Sequence, residues 1–357
     1  MLSVVAYADE WKIARPGYQW SFPQDHWARV DYKTEWWYFT GHLEAENGRR
    51  FGYQFTFFRV GILPEVPELN SDWGTSTLIM GHAAISDLDK GKHYFSEVLY
   101  RVVPMLSGFG TYPDTLLAWS RGPTGTEDRW TLSWNGDAFD FVMGDRWQKV
   151  GFALTTKKKK PMIFQGPNGY SRKGEGESAA SQYYSFTRLA TEGNITIAGE
   201  SFEVTGESWM DKEFGSNQLG DHQVGWDWFS LQLADGREIM LYILRGRKGQ
   251  VDYASGTVIG VDGSTRYLDR DTFEVEATAG WKSRKTGALY PARWTVTVDG
   301  KIFIIESEMD DQENIGRKVL SLFYWEGAVK VMDRNEISVG KGYVELTGYG
   351  NGRRPGI

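Results

Sequence analysis

Asn47 and Gly48 separate two aromatic runs near the start of the chain, and this dipeptide constrains the fold most strongly. Asn-Gly is the strongest short-range signal of a β-hairpin, because both residues tolerate the positive φ angles of a tight turn. The stretch from Thr34 to Arg59 reads TEWWYFTGHLEAENGRRFGYQFTFFR. It predicts two antiparallel strands, with Glu35 and Arg59 forming an ion pair at the open end.

Both arms of this predicted hairpin are rich in aromatic residues. Successive side chains of a strand point to opposite faces, so in the first arm Trp37 and Phe39 lie opposite Trp36 and Tyr38. That arm is then apolar on both faces, which is unusual for a strand with one face in water. Two interpretations fit equally well: a sheet with two dry faces, or a strand that lines an aromatic ligand cavity.

The second half of the chain repeats patterns of the first. Four segments have counterparts in the same order, which indicates a duplicated unit. The pairs are the hairpin with DWFSLQLADGREIMLYILR at 227–245, AISDLDKGKHYF at 84–95 with TVIGVDGSTRYL at 257–268, RWTLSWNG at 129–136 with RWTVTVDG at 293–300, and FEVTGESW at 202–209 with YVELTGYG at 343–350. Each unit alternates strands with Gly-containing turns and shows scarcely any helical periodicity.

These patterns predict an all-β fold of two tandem lipocalin-like antiparallel β-barrels, each of a size that encloses one small ligand. We predict a truncated signal-like tail and lead-in at 1–30, an N-terminal barrel at 31–215 and a C-terminal barrel at 221–357. The first ten residues, MLSVVAYADE, resemble the end of a secretory signal, because an apolar run closes in Ala-Tyr-Ala. We therefore expect a periplasmic or secreted protein.

Composition and charge exclude several classes of protein. None of the 357 residues is cysteine, which excludes thiol nucleophiles, disulfides and thiolate metal sites. No apolar run is long enough to span a membrane as a helix, and a net charge of -7 argues against a nucleic-acid partner. The five histidines lack metal-ligand spacing, so no metal site is predicted. His42 and His82 are candidates to meet across a sheet, although core positions are favoured.

Carboxylates among aromatic residues are the best candidates for chemistry. The stretch GESWMDKEFGSNQLGDHQVGWDWF, at 206–229, contains Glu207, Asp211, Glu213 and Asp227. A carboxyl group in an apolar pocket has a raised pKa and can act as an acid, and electron-rich ring faces stabilise a developing carbocation. This combination suits protonation of an alkene, followed by hydration, cyclisation or a double-bond shift. Ordinary loop ion pairs and core aromatics are the alternative.

Five longer segments resemble the AttH-type, carotenoid-hydratase-like family of lipocalin-like proteins. They are EWWYFTGHL, ASQYYSFTRL, GESWMDKEFGSNQL, GWDWFSLQL and YWEGAVKV…GKGYVELTGYG, which together span Glu35 to Gly350. The resemblance implies two lipocalin-like barrels side by side. The family includes hydratases that add water to a terminal isoprenoid double bond without a cofactor. It also includes exported bacterial proteins of unknown activity, often encoded beside transporters.

The resemblance also implies site residues. In the hydratases an aromatic-x-Asp motif supplies the acid, and the Trp-Met-Asp segment ending at Asp211 matches it, so Asp211 is the expected catalytic residue. Their His-x-aromatic pair is matched here by Gln-Tyr-Tyr at 182–184. Gln182 can hold a water molecule but cannot shuttle its proton near neutral pH. The expected substrate-binding residues are Gln182, Tyr184, Trp209, Trp228, Trp37 and Tyr38.

The combined prediction is an exported lipocalin-like protein that acts on or binds an extended hydrophobic molecule, such as an isoprenoid, carotenoid or lipid. Its expected reaction is acid-catalysed hydration or isomerisation of a double bond, without a cofactor or a metal. A non-catalytic carrier, or an accessory protein of a membrane transporter, is the alternative. A third interpretation is a scaffold protein whose barrel core is filled and has no cavity.

Overall fold

The computed structural model describes residues 11–65, 67, 71–176, 179–217, 219–316 and 322–350. Within these ranges the chain forms strands, turns and three short 3₁₀ helices, and contains no α-helix; the 3₁₀ helices are Gln24–His26, Pro167–Gly169 and Arg270–Thr272. The predicted all-β fold is therefore confirmed. No helix in this part of the chain is long and apolar enough to cross a membrane. The signal-like segment at 1–10 lies outside the described residues, so export stays a prediction.

The first sheet is antiparallel and has 13 strands. They are β1 (Thr34–Ala45), β2 (Arg50–Gly61), β3 (Thr77–Asp87), β4 (Lys92–Arg101), β5 (Ser107–Phe109), β6 (Leu116–Arg121), β7 (Arg129–Trp134), β8 (Ala138–Asp145), β9 (Val150–Lys158), β10 (Ile163–Phe164), β11 (Tyr170–Arg172), β12 (Ala180–Ile197) and β13 (Glu200–Gly215). The order across the sheet is β4-β3-β2-β1-β13-β12-β9-β8-β7-β6-β5, and β10 and β11 pair with β12.

The second sheet is antiparallel and has ten strands. They are β14 (Gln223–Leu233), β15 (Glu238–Gly246), β16 (Val251–Ile259), β17 (Thr265–Asp269), β18 (Phe273–Lys282), β19 (Leu289–Val298), β20 (Lys301–Ser307), β21 (Glu313–Ile315), β22 (Phe323–Asp333) and β23 (Ser338–Leu346). The order across this sheet is β17-β16-β15-β14-β23-β22-β20-β19-β18, and β21 pairs with β22.

The two sheets follow the same path, which supports the predicted duplication. In each, the first strand lies between the second and the last: β1 between β2 and β13, and β14 between β15 and β23. The first sheet curls into a nearly closed barrel and the second into a half-barrel. The second sheet ends at β18, whose residues are mostly exposed. The domain boundaries at 31–215 and 221–357 stay predictions.

The aromatic hairpin is formed by β1 and β2 and turns at Gly48, whose φ of 80° favours glycine. The inner face of β1, with Trp37 and Phe39, packs into the aromatic core of the first barrel. Its outer face, with Trp36 and Tyr38, packs with residues of the second sheet. Both sequence interpretations therefore hold in part, because the inner face is dry and the outer face lines a cavity between the sheets.

The ion pair between Glu35 and Arg59 is also present, and it is buried rather than exposed. Glu35 forms a second ion pair with Lys212 of β13. The backbone N–H of Arg29 donates to both Glu35 carboxylate oxygens, at 2.9 and 3.0 Å. One carboxylate thus ties the lead-in segment, the hairpin and β13 together inside the first barrel.

Candidate functional site

A cavity of about 250 Å³ lies between the two sheets. Trp36 and Tyr38 of β1 form part of one wall, and Trp226, Trp228 and Tyr242 of the second sheet form part of the other. Tyr38 meets Trp228 edge to face, with ring centroids 5.1 Å apart. Aromatic rings from both halves of the duplicated chain therefore enclose one space.

Asp211 projects from β13 into the wall of this cavity and is 3% exposed. Residues of β13 alternate between two environments, as a strand requires. Trp209 and Asp211 face the second sheet, whereas Met210 and Lys212 face the interior of the first barrel. The alternation places an acid and a base that are adjacent in sequence on opposite faces of the sheet.

Three neutral donors hold the Asp211 carboxylate. Ser185 Oγ and Trp209 Nε1 donate to Oδ1 at 2.5 and 2.7 Å, and the Tyr183 hydroxyl donates to Oδ2 at 2.6 Å. The register of β12 on β13 produces this arrangement, because Ser185 lies directly opposite Asp211. Trp228 Nε1 donates in turn to the Tyr183 hydroxyl at 3.3 Å. The hydrogen-bonded chain therefore crosses from the first sheet to the second.

Burial raises the pKa of Asp211 to about 7, since the charged form loses its hydration. The hydrogen bonds from Ser185, Tyr183 and Trp209 favour the ionised form and oppose this shift, and the charge of Glu213 adds to it. A carboxyl group with a pKa near 7 is populated in both protonation states at neutral pH. It can therefore give up a proton in one step and recover it later.

The other three carboxylates of the predicted cluster each have a cation. Glu207 pairs with Arg188 at 2.9 Å and with Lys159 at 2.7 Å. Asp227 pairs with Arg245 at 2.9 Å. Glu213 lines the cavity and pairs with Lys173 at 2.7 Å. Among the described residues no Lys or Arg forms an ion pair with Asp211, which makes this carboxyl different from its neighbours.

The predicted substrate-binding residues divide into two groups. Tyr38 and Trp228 line the cavity with Asp211. Trp209 lies behind them, holding Asp211 through its indole N–H, with its ring centroid 6.2 Å from that of Trp228. These three aromatic residues and Asp211 form one site.

Gln182, Tyr184 and Trp37 lie on the other face of the first sheet. Tyr184 donates or accepts a hydrogen bond at His26 Nδ1 at 2.7 Å, and Trp37 Nε1 donates to the His26 carbonyl at 2.7 Å. Gln182 Nε2 donates to the carbonyl of Arg15 at 2.8 Å. The structure therefore does not bring these three side chains together with Asp211, because strand alternation turns them into the first barrel.

Sequence reasoning missed four residues of the site: Tyr183, Ser185, Trp226 and Glu345. Tyr183 and Ser185 alternate along β12 with the predicted residues Gln182 and Tyr184, so they point to the opposite face of the sheet. Trp226 and Glu345 lie on β14 and β23 and reach the cavity only through the packing of the sheets. The aromatic stretch at 226–229 was the only local signal for that wall.

The histidines do not form a centre of their own. His42 Nε2 bonds to the carbonyl of Gly342 at 2.7 Å, and His82 Nδ1 bonds to the Tyr324 hydroxyl at 2.8 Å. Each thus contacts the second sheet rather than the other histidine. Burial lowers the pKa of His42 to about 4 and that of His82 to about 3. In the described part of the chain, no group of three or more His, Asp or Glu is arranged to hold a metal ion.

A family model described as AttH-like matches residues 13–349. The chain belongs to the AttH-like family. The crystal structure of an AttH protein, NE1406, from Nitrosomonas europaea is 32% identical to it, with a TM-score of 0.84 over 95% of this chain and 99% of that one. The resemblance noted in the sequence is confirmed. None of the curated proteins matches the chain in a sequence search.

Two more distant structures share the fold of this AttH-like chain. Kievitone hydratase from Nectria haematococca is 16% identical, with a TM-score of 0.67 over 96% of this chain and 98% of that one. CghA is 15% identical, with a TM-score of 0.52 over 88% of each chain. At these identities the likeness concerns the fold alone.

Proposed function

We propose that this protein is an enzyme that protonates a carbon–carbon double bond of a hydrophobic small molecule bound between the two sheets. Asp211 is the general acid, and hydration or a double-bond shift completes the reaction. The observation that carries the proposal is a buried carboxyl group with only neutral donors, set in the wall of an aromatic cavity. The hydratase among the structural relatives is consistent with this class of reaction.

The environment of Asp211 suits proton transfer to carbon. Ser185 and Trp209 both donate to Oδ1, and only Tyr183 donates to Oδ2. Oδ2 therefore carries the proton when the Tyr183 hydroxyl turns its hydrogen toward the cavity. Tyr183, which contacts Oδ2, lines the cavity and can pass the proton onward as a hydroxyl group. Loss of the proton is favoured in the transition state, because three donors are already in place to stabilise the carboxylate.

The aromatic wall supplies the second requirement, which is stabilisation of positive charge. A cation that forms on the substrate beside Asp211 lies near the rings of Tyr38 and Trp228. Ring faces stabilise such a cation by about 0.5–2 kcal/mol each once water is excluded. Acid and rings together favour an alkene substrate over an ester or a phosphate.

The cavity also bounds the substrate. Ligand pockets usually enclose about 300–1,000 Å³, and the space here is about 250 Å³. One end of an isoprenoid or lipid chain fits in that space, with the remainder of an extended molecule outside.

Native mass spectrometry of protein purified from its own source, with organic extraction, tests the proposal directly. We expect a bound isoprenoid or lipid-like molecule that wild-type protein converts and that Asp211→Asn retains unchanged. Retention by both proteins without conversion would instead favour the carrier function. An empty protein that ignores geraniol, squalene and lycopene would contradict both functions and favour a scaffold. Cell fractionation of the same source tests the proposed export.

A further inference from the structure

A second carboxyl group faces the same cavity from the opposite sheet. Glu345 lies on β23, and it lines the cavity together with Asp211 of β13. It is half-buried because the cavity adjoins it. The two groups belong to different halves of the duplicated chain, so the packing of the sheets alone brings them to one space.

Glu345 resembles Asp211 in its partners. Trp226 Nε1 donates to Glu345 Oε2 at 2.9 Å, and no ion pair with Lys or Arg is seen for Glu345 in the part of the chain that the structure describes. Its direct neighbour on β14 is Trp228, which also reaches the Tyr183 hydroxyl. Trp228 therefore stands between the two carboxyl groups, and each is held by an indole or hydroxyl donor rather than by a cation.

A third carboxyl group, Glu326 of β22, lies directly opposite Glu345. The hydroxyl of Tyr38, which lines the cavity and is 7% exposed, interacts with Glu326. Burial and the charge of Glu345 raise the pKa of Glu326 well above its ordinary value. Glu345 therefore lies between the cavity and a buried carboxyl group that favours its neutral form.

We propose that Glu345 is the second acid–base group of this site and acts on water opposite Asp211. The inference rests on the proposed function. Asp211 gives its proton to one alkene carbon, the oxygen of a water molecule bonds to the other, and the carboxylate of Glu345 takes the proton that this water loses. The double bond gains one H and one OH, Asp211 is left ionised and Glu345 protonated. Proton exchange with solvent restores both groups.

Glu345 titrates in the same pH range as Asp211. Burial raises the pKa of Glu345 to about 7, and the charges of Asp211 and Glu213 add to the shift. Two carboxyl groups that repel each other ionise in sequence, so near neutral pH the pair shares one proton. The reaction starts from the form in which that proton is on Asp211 and Glu345 is the carboxylate.

Reaction in D₂O with geraniol, squalene and lycopene separates the two roles. We expect wild-type protein to form a hydrated product with one carbon-bound deuterium. Glu345→Gln keeps the hydrogen bond from Trp226, so it should still exchange deuterium into the alkene while forming roughly 100-fold less hydrated product. Asp211→Asn should lose both reactions. Glu306→Gln, the same change at a partly exposed residue paired with Lys330 at 3.1 Å, should match wild type.

Normal hydration by Glu345→Gln would overturn the inference and leave the proposed function standing. A wild-type protein that neither exchanges deuterium nor hydrates any of the three alkenes would overturn both. Carboxyl ¹³C NMR titration without ligand gives a second readout. Asp211→Asn should lower the pKa of Glu345, because a repelling charge is removed. An unchanged pKa would overturn the inference whatever the substrate.

Discussion

Glu35 and Asp211 are two buried carboxyl groups on neighbouring strands, and they differ in the charge of their partners. Glu35 faces the interior of the first barrel and pairs with Arg59 and Lys212. Asp211 precedes Lys212 in the chain but faces the other way, toward three neutral donors. Burial raises the pKa of both; at Glu35, Lys212 and Arg59 more than reverse that effect, so its pKa ends below the ordinary value.

The difference shows how one sheet contains a structural and a reactive carboxyl group on neighbouring strands. Successive side chains of a strand point to opposite faces of the sheet. The charged or neutral partners on each face determine the pKa of the carboxyl group. Glu35, which pairs with two cations, stays ionised and stabilises the first barrel. A carboxyl group with neutral donors stays near the point of titration and can exchange protons with a ligand.

Removing the acid should have the largest effect. We expect Asp211→Asn to lower the rate of conversion of the identified ligand by about 100- to 10,000-fold and to leave its affinity nearly unchanged, since the amide keeps the shape of the group. Wild-type activity should fall as the pH rises above about 7, where Asp211 loses its proton. A variant that retains full activity would remove Asp211 from the mechanism. Asp311→Asn, at an exposed pair, controls for the loss of one charge.

Breaking the structural carboxylate should affect stability instead. Glu35→Gln leaves Arg59 and Lys212 buried without their counter-charge, which typically costs about 3–5 kcal/mol. Asp311→Asn removes a half-exposed partner 3.0 Å from Lys285 and should cost about 0–1 kcal/mol. Urea unfolding of both variants measures the contrast. Equal small losses would mean that the Glu35 network does not hold the first barrel together.

The pH dependence of stability sharpens the comparison. The folded-state pKa of Asp211 is raised, so its contribution to stability is full below the unfolded pKa near 4 and is lost as the pH rises through about 7. Asp211→Asn should therefore gain stability relative to wild type across this window, by about 4 kcal/mol at most. Urea unfolding at a series of pH values measures the difference. A constant difference between the two proteins would show that Asp211 titrates normally.

Local signals in the sequence predicted the fold and half of the site. The hairpin turn at Gly48, the collinear repeats and the acid among aromatics each depend on residues close together in the chain. The sequence alone does not decide between Gln182 and Tyr183, because the choice depends on which face of β12 turns toward the second sheet. Glu345 lies far along the chain, and only the packing of the sheets places it opposite Asp211.

The smallest effect is expected from removing one of the neutral donors that distinguish Asp211 from Glu35. Trp209 Nε1 donates only to Asp211 Oδ1 among the described hydrogen bonds, so Trp209→Phe removes one interaction with the ionised form. A hydrogen bond to a charged group contributes about 1.5–3 kcal/mol, and we expect the pKa of Asp211 to rise by about 1 unit. Carboxyl NMR titration measures this shift, and Trp294→Phe, buried in the core of the second sheet, controls for lost ring volume. An unshifted pKa would mean that desolvation alone sets the acidity of Asp211, and the neutral donors would then serve only to orient it.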